Sequence, residues 1–422
     1  MALTYSLKYK KLNPLNKILL EKEGEIVIDR QNFRLKGKGA QDMGEVIYFG
    51  DMKDLHIKGE ELSFTTYTKD RYVLSDFLNL FDDFLRDFVR VRNEYLADAL
   101  FMKVGMLIKE FDCTVEIVNN YGKINPKGRG KIQLYEGSIV FMPETRECFA
   151  VYLNFLKGHE FDDEEFILHL YLDNGNVINV SHLGSYFEDT QEAMETVMGK
   201  MYERVLKSLG LFFPELDAQT LIKLAYKVKE GRFVSMKEFK KIDKELPEKV
   251  FTALYGEKED MKSKIEMLKA LGGEDNFLVS LSFGKDRESG DPFLRTWFLQ
   301  GLPAQNLVCI GRTSGANDNI IHFFRIIMQN GDPAEKMPAK ILEIEQSLVL
   351  FKFDFSPVYK DRKELRKSKY RTVLKKLSFL RLLRKSYLGY NHQNFDTFKT
   401  DLEDYFERAK PVVLQKPGEG EK

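Results

Sequence analysis

The chain has 422 residues, its 65 basic and 65 acidic side chains cancel, and 43% of its residues are hydrophobic, as in an ordinary globular protein. This length exceeds what one hydrophobic core usually serves, so two to four domains are expected. No apolar run approaches the roughly 18 residues that a membrane span needs. The cysteines, Cys113, Cys148 and Cys309, are too far apart for a disulfide framework or a zinc knuckle. We therefore expect a cytoplasmic protein with no transmembrane segment, whose membrane contacts, if any, are peripheral.

The first half of the chain contains an internal repeat. A shift of 106 positions, which places Gly24 on Gly130, superimposes one stretch on another without a gap. Ile26 and Ile132 head matching apolar pairs that keep the period of two of a half-buried strand. Two copies of one β-rich module are therefore predicted. Other matched positions are Phe49 with Phe155, Leu62 with Leu168, Ser75 with Ser181, Phe81 with Phe187, and Asp83 with Asp189.

Each copy is predicted to consist of short strands followed by one helix. In the first copy Ser75 is expected to cap a helix whose apolar stripe runs from Phe77 to about Leu100. Ser181 is expected to open the helix of the second copy in the same way. The predicted strands are Gly24–Asp29, Asn32–Lys36, Glu45–Gly50, Lys53–Ile57, Glu61–Tyr67 and Arg71–Leu74, then Gly130–Leu134, Ser138–Met142, Cys148–Leu156, Glu165–Asp173 and Asn176–Val180.

Antiparallel strands closed by one C-terminal amphipathic helix resemble the pleckstrin-homology-like (PH-like) superfold, which includes the GRAM-type modules. The resemblance covers residues 20–100 and 128–208 and depends on the order of elements and on the Ser-x-[Phe/Leu]-x-x-x-Phe-[Asp/Glu]-Asp match at Ser75 and Ser181. It implies tandem β-barrel or sandwich modules in an α+β protein. It leaves function open, because this superfold has lipid-binding, peptide-binding and purely structural members.

The rest of the chain is predicted to contain a helical connector and a third β-rich domain that ends in helices. Strands are expected at Phe277–Phe283, Phe293–Leu299, Asn306–Ile310, Asn319–Met328 and Ser347–Phe355, with a helix at Glu335–Glu345. The predicted division is 1–105 for the first module, 106–208 for the second, 209–272 for the connector, 273–410 for the third domain and 411–422 for a disordered tail.

The strongest local signal is a basic segment between Lys360 and Leu388, with twelve basic and two acidic residues and a net charge of +10. Leucines recur among these charges at helical spacing, which predicts one basic amphipathic helix. Such a helix can bind an anionic lipid surface, nucleic-acid phosphates or an acidic protein. It can equally pack its leucines on the third domain and leave its lysines in water. The candidate binding residues are Arg366, Lys367, Lys369, Arg371, Lys375, Lys376, Arg381, Arg384 and Lys385.

A smaller basic cluster, Arg34, Lys36 and Lys38, lies in the early strand-loop region of the first module, where PH-like domains that bind phosphoinositides carry basic residues. The matched positions in the second copy, reached by the same shift, are Val140, Met142 and Glu144. An anion site is therefore expected in the first copy alone, with an ordinary solvated hairpin as the alternative.

No enzymatic motif is present in the sequence: the six histidines are scattered, and neither a metal site, a cofactor site nor a catalytic constellation is predicted. The leading hypothesis is a non-enzymatic intracellular adaptor or scaffold that binds an anionic membrane surface or an acidic protein. The alternative is a nucleic-acid- or chromatin-associated scaffold that uses the basic helix. An enzyme built around Arg295, Trp297, His322 and Arg325 is a third, more distant possibility.

Overall fold

The computed structural model describes residues 2–39, 42–119, 124–255, 258–285, 292–313, 320–326 and 332–410. This part of the chain is α+β, with three antiparallel sheets and twelve α-helices. It falls into two compact units: unit 1 is drawn from Met1–Met201 and Asp361–Ser378, and unit 2 from Tyr202–Lys360 and Phe379–Lys422. None of the helices described is long and apolar enough to cross a membrane.

Repeat 1 is a seven-stranded sheet followed by one helix, α1 (Phe81–Ala99). Apolar side chains alternate along its strands and cover one face, so Ile26 and Phe33 are fully buried. Phe84 and Phe88 lie one helical turn apart on α1 and join this core. The strands are β1 (Leu3–Leu12), β2 (Ile18–Ile28), β3 (Asn32–Gly37), β4 (Glu45–Tyr48), β5 (Met52–Lys58), β6 (Glu61–Thr66) and β7 (Arg71–Ser75), in the order β4-β3-β2-β1-β7-β6-β5.

Repeat 2 has the same plan and is followed by α2 (Phe187–Phe212). Its sheet order, β11-β10-β9-β8-β14-β13-β12, matches that of repeat 1 strand for strand. The strands are β8 (Leu107–Val118), β9 (Ile124–Tyr135), β10 (Ser138–Pro143), β11 (Phe149–Tyr152), β12 (Leu156–Asp162), β13 (Ile167–Leu172) and β14 (Val177–Ser181).

The expected gapless match between the repeats is wrong over the fourth and fifth strands. The 3₁₀ turn Phe49–Asp51 between β4 and β5 corresponds to the turn Leu153–Phe155 between β11 and β12, so Phe49 is equivalent to Leu153 and not to Phe155. The shift of 106 returns at β6 and β13. Repeat 2 has a shorter loop before β11 and a compensating longer loop after β12, because loops absorb insertions whereas strand register is held by pairing.

The helices of both repeats begin later than expected. Ser75 is the last residue of β7 and pairs with Lys8 of β1, so its backbone belongs to the sheet and cannot cap a helix. A 3₁₀ turn, Leu78–Leu80, separates it from the start of α1. Ser181 likewise ends β14, and the turn Gly184–Tyr186 precedes α2.

Unit 2 is built on the third sheet, with the order β15-β16-β17-β18-β19-β20. Two of its strands, β15 (Phe233–Ser235) and β20 (Tyr387–Asn391), were not expected. The others are β16 (Leu278–Lys285), β17 (Pro292–Leu302), β18 (Leu307–Arg312) and β19 (Ile320–Arg325). Its first helices are α3 (Ala218–Val228), α4 (Met236–Ile242), α5 (Leu246–Tyr255) and α6 (Glu259–Gly272), which confirm the helical stretch before the sheet.

The strand expected at Ser347–Phe355 is wrong. α7 (Pro333–Leu350) continues through Ser347, capped by Asp332, whose carboxylate accepts from the amide of Ala334. Ile344 and Leu348 are one helical turn apart and fully buried. A short apolar run is compatible with a strand or with a buried helix, and here the residues pack as a helix. The predicted tail, 411–422, lies outside the described residues.

The single basic helix expected between Lys360 and Leu388 is also wrong. The segment forms α9 (Arg362–Arg366), α10 (Arg371–Lys376) and α11 (Ser378–Ser386), after the short α8 (Ser356–Tyr359). Asp361 caps α9 by accepting from the amide of Lys363, and Leu377 adopts an extended conformation between α10 and α11. The last helix of the chain described is α12 (Phe395–Ala409).

Candidate partner-binding site

Residues 361–378 belong to unit 1, where α10 packs on the turn Phe49–Asp51 of repeat 1. The carboxylate of Asp51 accepts from Lys375 and, at 3.2 Å, from Arg371. The hydroxyls of Tyr95 and Thr372 are 2.8 Å apart. Gly50 makes this approach possible, because a Cβ at that position would lie 2.7 Å from Oγ1 of Thr372. The basic segment is therefore docked on repeat 1 by specific contacts.

An ionic cluster with two buried cations and one partly exposed carboxylate anchors the same segment. Oε2 of Glu147, in the connection between β10 and β11, accepts from Nη2 of Arg92 at 2.6 Å and from Nζ of Lys376 at 2.8 Å. The side chains of Arg92 and Lys376 are only 1% and 5% exposed. Burial by itself would raise the pKa of Glu147, yet the two cations outweigh it and hold this pKa below its ordinary value of 4.5. One carboxylate thus joins α1, repeat 2 and α10.

Asn93 strengthens this junction through the neutral polar contacts that surround the ionic cluster. Its Nδ2 donates to the carbonyl oxygens of Pro143 and Arg146, at 3.1 and 2.8 Å. Its Oδ1 accepts from the amide of Cys148 at 3.1 Å. The connection before β11 is therefore held against α1 by four hydrogen bonds to the side chains of two neighbouring residues, Arg92 and Asn93, which makes it a rigid platform for Lys376.

The predicted binding residues are distributed over both units. Arg366, Lys367, Lys369, Arg371, Lys375 and Lys376 lie in unit 1, and Arg381, Arg384 and Lys385 lie in unit 2. In unit 2 Arg384 has a structural role, because its guanidinium donates to the carbonyl oxygens of Pro357, Val358 and Lys360 at 2.5, 3.1 and 2.7 Å, and so satisfies the end of α8. Arg381 and Lys385 are exposed.

Five cations of the segment 361–378 that form no ion pair with Asp51 or Glu147 lie in what we call the basic loop, 362–369. Its cations, Arg362, Lys363, Arg366, Lys367 and Lys369, are all exposed. Its apolar side chain, Leu365, is only 2% exposed. The basic loop therefore presents charge without presenting an apolar face.

The smaller basic cluster lies on β3 and just beyond it. Nζ of Lys36 is 3.6 Å from Glu25, and Nζ of Lys38 is 2.8 Å from Glu23. Both pairs span the β2–β3 hairpin and involve exposed or half-buried side chains, so water and salt screen them. Arg34 is exposed on the same strand.

Beside the basic loop lies a cleft of about 760 Å³ within unit 1, which the sequence did not predict. Its walls come from the β2–β3 turn, the turn Phe49–Asp51, the second half of α1 and residues 368–372. Three aromatic side chains, Tyr48, Tyr95 and Phe101, line it together with Arg30 and Lys369. No local sequence signal marks these residues, because the cleft exists only when residues from positions 30–103 and 368–372 pack together.

His322 of unit 2 is almost fully buried, and burial lowers its pKa to about 3. Its ring contacts Phe355 and Tyr359, and its Nδ1 is 3.3 Å from the hydroxyl of Tyr387. The imidazole is therefore neutral at physiological pH and packs in an aromatic box. Across the described ranges, no group of three or more His, Cys, Asp or Glu side chains could hold a metal ion.

Comparison with known proteins gives no family. No protein-family model matches the chain, and no curated protein is significantly similar to it in sequence. The function must therefore be argued from the geometry of units 1 and 2.

Proposed function

We propose that the protein is a non-enzymatic adaptor, and that unit 1 binds an acidic partner protein through the basic loop. The observation that carries this proposal is that the segment 361–378 contains two groups of cations, one paired with carboxylates and one exposed. Arg371, Lys375 and Lys376 form ion pairs with Asp51 and Glu147 and hold the segment in place. The five cations of the basic loop are exposed and available to a partner.

Tandem PH-like modules fit this role. Both repeats share one strand order, and each is followed by a helix. Modules of this superfold commonly present ligands or partners without catalysing a reaction, which agrees with an adaptor. Members of this superfold bind different classes of ligand, so the exposed side chains of unit 1 must indicate which class this protein binds.

An acidic protein fits the surface better than a membrane. An amphipathic helix binds a bilayer by burying its apolar face in the interface. In this segment Leu365 and Val373 are already buried within unit 1, so the side chains that face outward around them are charged or polar. Binding through such charges is electrostatic, reversible and weakened by salt.

The test uses the full chain and two charge reversals of equal size. Arg366→Glu/Lys367→Glu alters the basic loop, whereas Arg381→Glu/Lys385→Glu makes the same change in net charge at exposed positions of unit 2. The probe is a fluorescent 20-residue peptide rich in glutamate, titrated by anisotropy. We expect the first variant to bind about tenfold more weakly and the second to bind within about twofold of the wild type.

Equal losses in both variants would show that binding follows net charge and would contradict the proposal. The same titrations with phosphatidylserine vesicles and duplex DNA test the other ligand classes. Preference for vesicles would indicate a peripheral membrane protein. Preference for DNA, with affinity falling by roughly 0.9 log unit per log unit of salt for each phosphate contacted, would indicate a nucleic-acid scaffold.

A further inference from the structure

We infer that the cleft beside the basic loop is a peptide-binding site for an aromatic side chain flanked by carboxylates. This inference rests on the proposed function and deepens it, because it names the kind of partner segment that unit 1 takes. Its volume of about 760 Å³ lies within the range of about 300–1,000 Å³ that is usual for ligand pockets. The aromatic walls, the charge at the rim and the difference between the repeats indicate this occupant.

The aromatic walls are accessible and are flanked by cations. Tyr48 is 42% exposed, and the guanidinium of Arg371 lies 5.4 Å from the centre of its ring. On the other wall the ring of Phe101 lies 5.7 Å from that of Tyr370, with Nζ of Lys369 5.5 Å from its centre. An incoming aromatic ring can stack on such surfaces, because edge-to-face and offset contacts with flanking cations are favourable.

The charges inside the cleft are largely compensated by neighbours. Asp98 is 2.8 Å from Nζ of Lys103, and Asp51 is compensated by Arg371 and Lys375. Glu94 is 3.5 Å from Arg90 on the preceding turn of α1. The acidic lining of the cleft is therefore already satisfied within unit 1, and it does not call for a cationic ligand.

Two cations at the rim remain for a ligand. In the part of the chain that the structure describes, neither Arg30 nor Lys369 has a carboxylate within ion-pair distance. Arg30 comes from the β2–β3 turn and Lys369 from the basic loop, so they contribute positive charge from two different walls. A peptide with carboxylates on both sides of its aromatic residue complements this arrangement, and the exposed Arg366 and Lys367 continue the positive surface beyond it.

The backbone of Phe101 adds an independent observation. Phe101 follows α1 with a φ of 57°, in the left-handed region that normally favours glycine at the end of a helix. The amide of Met102 donates to the carbonyl of Ala97 at 2.9 Å, which closes this helix end. A phenylalanine here bears a conformational cost that glycine would avoid, and its ring forms a wall of the cleft.

Repeat 2 lacks the same set of residues. Glu136 stands at the position equivalent to Arg30, Met201 at that of Tyr95, and Asn154 at that of Gly50. The acidic Glu136 would repel a carboxylate that Arg30 attracts. We therefore expect one peptide to bind per chain.

The test titrates the full chain with a fluorescent peptide, Glu-Asp-Glu-Phe-Asp-Glu, and with an analogue that has alanine in place of phenylalanine. We expect the wild type to bind the phenylalanine peptide at least fivefold more tightly. Arg30→Glu should weaken this binding about tenfold, whereas Lys58→Glu, which makes the same change in charge at an exposed position of β5 outside the cleft, should leave it within twofold.

Phe101→Gly separates binding from folding. Glycine relaxes the helix end, so the variant should keep its thermal unfolding midpoint and lose the preference for the phenylalanine peptide. A variant that retains that preference would overturn the inference, as would equal effects of Arg30→Glu and Lys58→Glu.

The outcomes also separate this inference from the proposed function. If both peptides bind equally and Arg366→Glu/Lys367→Glu weakens both, the basic loop binds acidic partners and the cleft plays no part. If neither peptide nor the glutamate-rich probe binds, both proposals fail.

Discussion

Repeats 1 and 2 share a backbone plan but differ in what their surfaces can hold. The two sheets have the same strand order, and their third and sixth strands correspond at one constant shift. On the helix, Arg92 of repeat 1 is equivalent to Met198 of repeat 2; in the turn after the fourth strand, Gly50 and Asp51 are equivalent to Asn154 and Phe155. Repeat 1 therefore has the small residue and the Asp51 carboxylate that receive α10, whereas repeat 2 receives Lys376 through Glu147 in the connection before β11.

The cores of the two repeats differ in the size of their buried side chains. Five fully buried positions of repeat 1 are phenylalanine, whereas repeat 2 fills the same positions with smaller or more flexible side chains that are equally buried. A core accepts such exchanges when the pattern of buried positions is kept and the neighbouring side chains repack. The pairs are Phe33 and Ile139, Phe49 and Leu153, Phe64 and Leu170, Phe84 and Thr190, and Phe88 and Met194.

The largest expected effect on stability comes from the ionic cluster, which includes Arg92 where repeat 2 has Met198. Glu147→Gln leaves Arg92 and Lys376 buried without their shared carboxylate. We expect the free energy of unfolding to fall by about 3 kcal/mol, at the lower end for loss of one partner of a buried pair, because the side chain of Glu147 is 38% exposed. Denaturant unfolding of the wild type and of Glu147→Gln, both as full chains, measures this loss in the free energy of unfolding.

The matched control is Arg92→Met, which installs the residue that repeat 2 has at this position. It leaves Glu147 paired with Lys376 and should cost clearly less than Glu147→Gln. A larger loss in Arg92→Met would mean that the guanidinium packs rather than pairs, and would contradict the role given to the carboxylate.

The second largest expected effect on stability comes from Gly50 in the turn Phe49–Asp51. Gly50→Asn copies Asn154 of repeat 2, and its Cβ would lie 2.7 Å from Oγ1 of Thr372 and 2.9 Å from Oη of Tyr95. We expect a destabilisation of about 1–3 kcal/mol and faster cleavage by trypsin within 361–378 as α10 is pushed away. The reverse exchange, Asn154→Gly, should leave that cleavage rate unchanged; accelerated cleavage there would show that the segment responds to any change in these turns.

The smallest expected difference is in pH dependence. The pKa of Glu147 is lowered in the folded state, so its contribution to stability is complete above the ordinary value of 4.5 and is lost as pH falls through the folded value. The free energy of unfolding of the wild type should therefore fall more steeply below pH 4.5 than that of Glu147→Gln. Parallel pH profiles would indicate that Glu147 has the same pKa in the folded and unfolded chains.

Much of the fold was predictable, because local periodicity reports the elements that bury one face. The runs around Ile26, Phe33 and Ile139 have the period of strands, and they are strands. Errors occurred where periodicity competes with pairing or with loops. Ser75 has the residue type of a helix cap but is held in the sheet, and Phe155 matches Phe49 by identity only because two loop-length changes cancel.

The candidate site was only partly predictable. A net charge of +10 between Lys360 and Leu388 marks the segment as unusual, and the exposed cations of the basic loop belong to it. Charge in a sequence does not say which cations are neutralised on folding. Lys376 and Arg366 are both basic residues of the same segment, yet Lys376 is buried against Glu147 and Arg366 faces solvent.

The sequence by itself determined the α+β class, the duplication and the approximate place of most strands, because these depend on residues close together in the chain. Tertiary structure alone decided that 361–378 docks on repeat 1, that Asp51 and Glu147 pair with three of its cations, and that a cleft forms beside Tyr48 and Phe101. These features join residues more than two hundred positions apart, and such contacts depend on shape and burial that no local pattern records.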